Sequence, residues 1–233
     1  KENKVNINYT FAPKANQLED VIFFEPEPII DYLSTSRKGT KILKCPAFLD
    51  YYKNTYLIKA PIDLTFKISG SHIDCQNLYP QDYLEKIFTN RYQPENLYST
   101  ISLSWYYMFY SDKSVMIEVI PPVWHKNKLQ NNINIIGATF DISKWYRPLE
   151  FAFEIIDDTQ PIVIKRGDPL YYVKFNTLDK VKLDKQESTK KIEELIIMCT
   201  QLKDYIPNNS MRKNYSLMHK LIDKFKPKKC PFK

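Results

Sequence analysis

Between Thr100 and Asn176 large apolar and small polar side chains alternate along the chain, and a period of two predicts strands with one face hidden from water. In Thr100–Tyr110 the residues Ile101, Leu103, Trp105, Tyr107 and Phe109 alternate with Ser102 and Ser104. A turn through Ser111-Asp-Lys-Ser then leads into Val115–Ile120, so the two runs predict a hairpin. Further strands are predicted at Ile133–Phe140, Leu149–Ile156, Ile162–Lys165 and Leu170–Phe175, and upstream at Asp20–Phe24, Tyr56–Ala60 and Asp63–Ile68. Pro61, between the last two, requires an edge or a bulge. Strands this closely spaced, without helical crossovers, describe a mainly β protein built as an antiparallel β-sandwich or jelly-roll barrel.

Two stretches change period. Pro80–Phe88 predicts a short helix with Tyr83, Leu84, Ile87 and Phe88 on one side. After Asn176, Asp184-Lys-Gln-Glu187 has the form of a capping box, and Ile192, Leu195, Ile196, Cys199, Leu202 and Ile206 recur at helical spacing. Pro207-Asn-Asn-Ser breaks that helix, and Tyr215, Met218, Leu221, Ile222 and Phe225 mark a second one ended by Pro227. The expected organisation is an N-terminal arm at 1–40, a β-rich core at 41–178 and a C-terminal helical hairpin with a basic tail at 184–228, packed on the core. Overall the class is α+β.

Composition sharpens this picture. A hydrophobic fraction of 43% excludes disorder for the body of the chain, and 17 Tyr and 13 Phe against 4 Gly suit half-buried pleated surfaces. The longest apolar stretches fall short of the roughly 20 residues that span a bilayer, so no membrane span is expected. No apolar run follows Lys1-Glu-Asn-Lys-Val, so no signal peptide is expected at this end. Cys45, Cys75, Cys199 and Cys230 are scattered, which predicts reduced thiols and neither a disulfide framework nor a metal site. His72 and Cys75 form the one His-x-x-Cys, with too few neighbours to complete four ligands. Cys45 is expected to be a small buried side chain and Asn54 a turn residue. No cofactor is implied.

The net charge of +7 is concentrated in the tail. From Arg212 onward there are eight basic residues against one acid, Asp223, so this stretch carries the whole excess and the rest of the chain is balanced. Such a tail suits nucleic acid, an acidic protein or an anionic surface, and Arg212, Lys213, Lys220, Lys224, Lys228 and Lys229 are the candidate contacts.

Chemistry-bearing residues are few. Pro121-Pro-Val-Trp124-His125 ends a strand and leaves Trp124 and His125 on a loop, where His125 is the candidate for proton transfer. Asp141 is the second catalytic candidate, and Trp105, Trp124, Tyr146 and Arg147 are candidates for ligand contact.

Gly137-Ala-Thr-Phe-Asp-Ile-Ser-Lys-Trp-Tyr-Arg147-Pro and Ile162-Val-Ile-Lys-Arg-Gly-Asp-Pro resemble the loop and following strands of the dUTPase and dCTP-deaminase superfamily. In that family an aspartate activates water or contacts the deoxyribose while an aromatic stacks nearby; the resemblance implies Asp141 and Tyr146 for these roles. Ser69-Gly-Ser-His-Ile-Asp74 stands where the family has an earlier Gly-x-Asp motif. Pro148 replaces the Gly that follows the family's arginine, and the serine-bearing phosphate motif and glycine-rich flap are absent.

A wider resemblance covers Lys44 to Asn176. Lys-Cys-Pro-Ala-Phe-x-Asp-Tyr, Asn-x-Tyr-x-Ile-x-x-Pro-x-Asp, Pro-Pro-x-Trp and Arg-Gly-Asp-Pro-Leu-Tyr-Tyr-Val are similar to an uncharacterised family of tailed phages, marine ones included. It implies a viral setting, in host cytoplasm or virion. Two functions follow as expectations: an oligomeric, non-enzymatic phage-type accessory protein that binds a macromolecule, or a nucleotide-binding or nucleotide-hydrolysing enzyme on a dUTPase-like barrel.

Overall fold

The computed structural model describes residues 3–11, 22–70, 72–77, 79, 83–84, 87–93, 98–105, 107–125 and 128–205, with 213–214, 216–217 and 220 beyond them. Fifteen strands are found among these residues. They are β1 (Lys4–Phe11), β2 (Glu27–Pro28), β3 (Thr55–Lys59), β4 (Leu64–Ser69), β5 (His72–Cys75), β6 (Phe88–Gln93), β7 (Tyr98–Ser104) and β8 (Tyr107–Tyr110). They continue with β9 (Met116–Ile120), β10 (Ile133–Ile135), β11 (Ala138–Asp141), β12 (Glu150–Ile155), β13 (Ile162–Ile164), β14 (Pro169–Asn176) and β15 (Lys180–Lys185). Three α-helices accompany them: α1 (Ile29–Ser36), α2 (Pro46–Tyr52) and α3 (Lys190–Tyr205).

The strands make four sheets, in the orders β15-β1-β8, β10-β12-β7-β6, β11-β9-β14-β3-β2 and β13-β4-β5. The protein is mainly β, its sheets are antiparallel with one exception, and no barrel closes among the described residues. The exception joins the first strand to the last: β1 runs parallel to β15, with Val5 opposite Val181 and Ile7 opposite Leu183.

The alternation does what the sequence reading expects of it. Ile101 and Leu103 of β7, Tyr107 and Phe109 of β8, Phe151 and Phe153 of β12, and Tyr171, Val173 and Phe175 of β14 all enter one core, which also receives residues of β1, β4, β13 and β15.

What alternation does not fix is which strand pairs with which. The predicted hairpin of Thr100–Tyr110 with Val115–Ile120 does not form. The first run breaks at Trp105, so that β7 lies between β12 and β6 while β8 pairs with β1, and β9 pairs with β11 and β14. The Ser111–Ser114 turn therefore carries the chain from one sheet to another. The same holds for Ile133–Phe140, which splits at Ile136-Gly137 into β10 and β11 of different sheets. A Cβ on Gly137 would approach the Val119 carbonyl oxygen to 3.2 Å, so the missing side chain admits the crossing. Pro61 lies in a connection between sheets and not within a strand.

The ends of the chain differ more from expectation. The segment expected as an arm supplies β1, whose Val5, Ile7 and Tyr9 are buried, and α1. Ile22–Phe24 carry no strand. Asp184 does not cap a helix; it closes β15, and α3 begins later, where the Thr189 hydroxyl accepts a bond from the Ile192 N–H at 3.3 Å. Ile196 and Cys199 of α3 face the core as the spacing predicts. Of the predicted short helix, Tyr83, Leu84 and Ile87 are helical, whereas Phe88, expected on the same helix face, opens β6. The second helix of the expected hairpin lies largely outside the described residues. No helix among the described residues is long and apolar enough to cross a membrane.

Candidate functional site

The five-stranded sheet is buried on both faces along β3 and β14, and there its second face builds the site. Along β3, Tyr56 and Ile58 point into the main core while Leu57 points outward; along β14, Tyr171 and Val173 point inward and Tyr172 outward. Leu57 and Tyr172 would meet water if nothing covered them. Two short helices do so. Ile29 and Leu33, one turn apart on α1, and Tyr52 of α2 bury themselves against Leu57 and Tyr172, with Tyr32, Leu43, Phe48 and Trp124 packed around the margin. Pro46 stands at the first position of α2, where its missing N–H costs nothing. Asn54, at φ +61°, turns the chain from α2 into β3. Its side chain donates to the carbonyls of Thr177 and Asp179 and accepts from the Val181 N–H, tying this turn to the loop between β14 and β15.

Trp124 and His125 belong to this cluster. The Trp124 backbone N–H donates to the Tyr172 hydroxyl at 3.1 Å, and that hydroxyl lies 2.8 Å from His125 Nδ1. Burial raises the Tyr172 pKa well beyond its ordinary value, with bonds from the Trp124 and His125 side pulling the other way. The phenol keeps its proton, and the hydroxyl and Nδ1 share one hydrogen bond whose direction follows the imidazole tautomer. The ring stacks on Tyr32 at 3.9 Å between centroids, and Gln130 donates to the His125 carbonyl at 2.6 Å. Burial pulls the His125 pKa down to about 4; Glu27 opposes this and Lys59 adds to it. A neutral ring with 8% of its residue surface exposed, and with Nε2 shut away from solvent, anchors the Pro121–His125 loop to the sheet and is poorly placed to shuttle protons.

The other predicted site residues go elsewhere. Trp105, 1% exposed, is part of the main core at the corner between β7 and β8. Asp141 pairs with Met116, at the opposite end of β9 from Ile120, which leads to Trp124 and His125. At about 3.4 Å per residue that places roughly 14 Å of strand between the two regions. Asp141 organises its own loop: Oδ1 accepts from the Ser143 N–H and hydroxyl at 2.9 and 2.7 Å, and Oδ2 accepts from Ser114 at 2.7 Å and pairs with Lys144 at 3.1 Å. Burial alone raises its pKa, but these bonds together outweigh it and hold the carboxyl at about 2. Tyr146 is buried, and Arg147 pairs with Glu150 at 3.7 Å beside the Trp145 ring. Cys199 of α3 reaches the Tyr146 backbone, and burial pushes its thiol up to about 11.

Cys45, expected to be buried, is exposed, because it stands just ahead of α2 on the solvent side. Of the Ser69–Asp74 stretch, Ser69 ends β4 and His72–Asp74 lie in β5, paired antiparallel with it. No group of three metal-ligating side chains occurs among the described residues. Two polar clefts, of about 590 and 520 Å³, lie along β1 and β15, and none of the predicted site residues lines either. Of the tail candidates, Lys213 and Lys220 are exposed, while Arg212, Lys224, Lys228 and Lys229 lie outside the described residues.

The charged face over the second cluster is a feature that reading net charge alone conceals. Between Asp31 and Asp50 the chain carries Arg37, Lys38, Lys41 and Lys44 and no acid, and all four are exposed. The Arg37 guanidinium sits 5.3 Å from the Trp124 ring centre. Tyr51, half exposed, packs on Tyr52 and carries the Lys174 ammonium 3.7 Å from its ring centre. The signal was present as four cations in eight residues flanked by aromatics. No protein-family model matches the chain, and no curated protein matches it.

Proposed function

We propose that this chain is a non-enzymatic, phage-type accessory protein that binds a polyanionic macromolecule through the face formed by α1, the Lys41–Lys44 turn and α2. The observation that carries the reading is the run of four exposed cations without an intervening acid, mounted on a packed aromatic cluster. Charges on a rigid support lose little order on binding, which is what separates a built surface from a solvated one. The scaffold suits this role as a β-sandwich-like arrangement, in which loops and short helices present the contacts. The basic tail is a second cationic element, and the phage setting rests on the resemblance of the Lys44–Asn176 stretch.

The nucleotide-hydrolysing alternative draws less support, because both Asp141 oxygens are engaged by donors of nearby residues and His125 lies beyond the opposite end of β9. Heparin titration of the full chain tests the proposal. Binding that weakens steeply between 50 and roughly 200 mM salt, and that weakens again when Lys38, Lys41 and Lys44 become Gln, supports it. Absence of any salt-sensitive binding removes it.

A further inference from the structure

The composition of the cationic face says which polyanion it fits. An acidic polypeptide such as polyglutamate needs positive charge and hydrogen-bond donors, and gains little from an exposed aromatic ring. A nucleic acid strand with unstacked bases gains from both, since each base offers a flat π-surface and each phosphate one negative charge. Here the two requirements adjoin. Arg37, Lys38, Lys41 and Lys44 lie along the connection from α1 to α2, and Tyr51 follows on α2 with half its surface exposed and Lys174 over its ring. Phe48 and Trp124 pack edge to face behind them at 5.3 Å and hold the aromatic surface in place.

Duplex recognition is poorly served by the same geometry. α1 has eight residues and α2 seven, both turn their apolar faces onto the sheet, and neither projects far enough to enter a major groove.

We propose that this face binds single-stranded nucleic acid, with phosphates held by Arg37, Lys38, Lys41 and Lys44 and a base stacked on Tyr51. The inference rests on the polyanion-binding reading above and names its ligand. It assigns the body of the protein a site separate from the basic tail. Sequence preference is weak, because stacking accepts any base and phosphate contacts carry no base identity.

Fluorescence anisotropy with the full chain and labelled oligothymidine tests it, with a duplex of equal length and polyglutamate as competitors. The expected result has three parts. Oligothymidine binds more tightly than duplex or polyglutamate. The triple substitution Lys38→Gln, Lys41→Gln, Lys44→Gln lowers the slope of log K against log salt by about 2, at roughly 0.7 per phosphate contact on a single strand. Tyr51→Ala weakens binding roughly 5- to 100-fold with the slope unchanged. The three lysines are exposed, so the unfolding midpoint of the triple variant should match the parent, while Tyr51→Ala, which also loses its contacts with Tyr52 and Lys174, should be about 0.5–1 kcal/mol less stable and still folded in the assay.

Three other outcomes overturn it. If polyglutamate outcompetes oligothymidine, the ligand is an acidic polypeptide and polyanion binding survives. If Lys224→Gln, Lys228→Gln, Lys229→Gln abolishes binding while the face variants change nothing, the tail is the site and only the face assignment falls. If the full chain binds none of these polyanions at any salt, both this inference and the reading beneath it fail.

Discussion

The two faces of the five-stranded sheet serve different ends. The inner face contributes Tyr56, Ile58, Tyr171, Val173 and Phe175 to a core that receives side chains from all four sheets and is filled by large rings. The outer face offers Leu57 and Tyr172 to a smaller cluster threaded by polar contacts, in which the Tyr172 hydroxyl ties down a loop and His125 is sealed in neutral form. One sheet thus holds the fold together on one side and mounts a charged, aromatic surface on the other. Alternation along a strand makes the division possible, because adjacent residues point to opposite faces.

The division breaks most visibly by cavity creation. Phe153→Ala, at a fully buried position of the main core, is expected to cost about 3–5 kcal/mol in denaturant unfolding. Phe48→Ala, at the half-buried margin of the outer cluster, should cost about 1–2 kcal/mol, because less of its ring leaves water on folding. Equal losses at the two sites would show that the outer cluster is as integral to the fold as the inner one.

Asn54 sits where the two regions join and sharpens their boundary. Its side chain makes two bonds to the loop after β14 and one to Val181 of β15, and its backbone occupies the left-handed region that Ala tolerates poorly. Asn54→Ala should cost about 2–3 kcal/mol. Asn54→Gly, which relieves the backbone but lacks the same bonds, should cost less, and the difference between the two isolates the backbone contribution.

Much of this was legible from sequence, and the remainder has physical reasons for being hidden. Strands betray themselves by local alternation, so β3, β4, β12, β13 and β14 appear where expected. Pairing is not local. The run through Trp105 reads as one strand but bends between two sheets, and nothing within it says that β8 will meet β1 nearly a hundred residues earlier. β1 and β15 carry their own weak alternation, Val5, Ile7 and Tyr9, and Val181 and Leu183, diluted by Asn and Lys. α1 and α2 are too short for a periodic signal, and prolines at their starts read as breaks. The Trp124–His125 loop was visible because two prolines end a strand, whereas its partner Tyr172 lies 47 residues on and joins it only through the fold.

Acid tests the two polar anchors apart. Unfolded, His125 takes up a proton near pH 6.5; folded, only near pH 4. Between these values the unfolded chain binds more protons, so stability falls as pH drops through that window, is complete above it and loses no more below it. The loss is roughly 1–2 kcal/mol, less than the full shift implies, because relaxation and water entry lower the cost of charging a buried ring. His125→Phe should flatten the dependence over that window. Asp141 acts lower: its carboxyl is held at about 2 against 3.8, so its contribution persists above pH 3.8 and is lost from there toward 2. Asp141→Asn should therefore leave the His125 window intact.

The smallest expected effect is the most discriminating for the surface. Arg37 differs from its neighbours Lys38, Lys41 and Lys44 in touching the Trp124 ring. Such a contact at an exposed site contributes about 0.5–1 kcal/mol, so Arg37→Gln should lower stability by that amount. Lys38→Gln and Lys41→Gln, with no ring beneath them, should shift it by less than about 0.5 kcal/mol. If all the cations in the run prove equally neutral, Arg37 is solvated like the rest, and the aromatic cluster supports the charged face only from behind. If Arg37 alone matters, its guanidinium is held in place by Trp124, and the outer cluster fixes at least one charge of the surface as well as covering the sheet. Double substitution with Trp124→Ala separates these cases, since the Arg37 effect should vanish once the ring is gone.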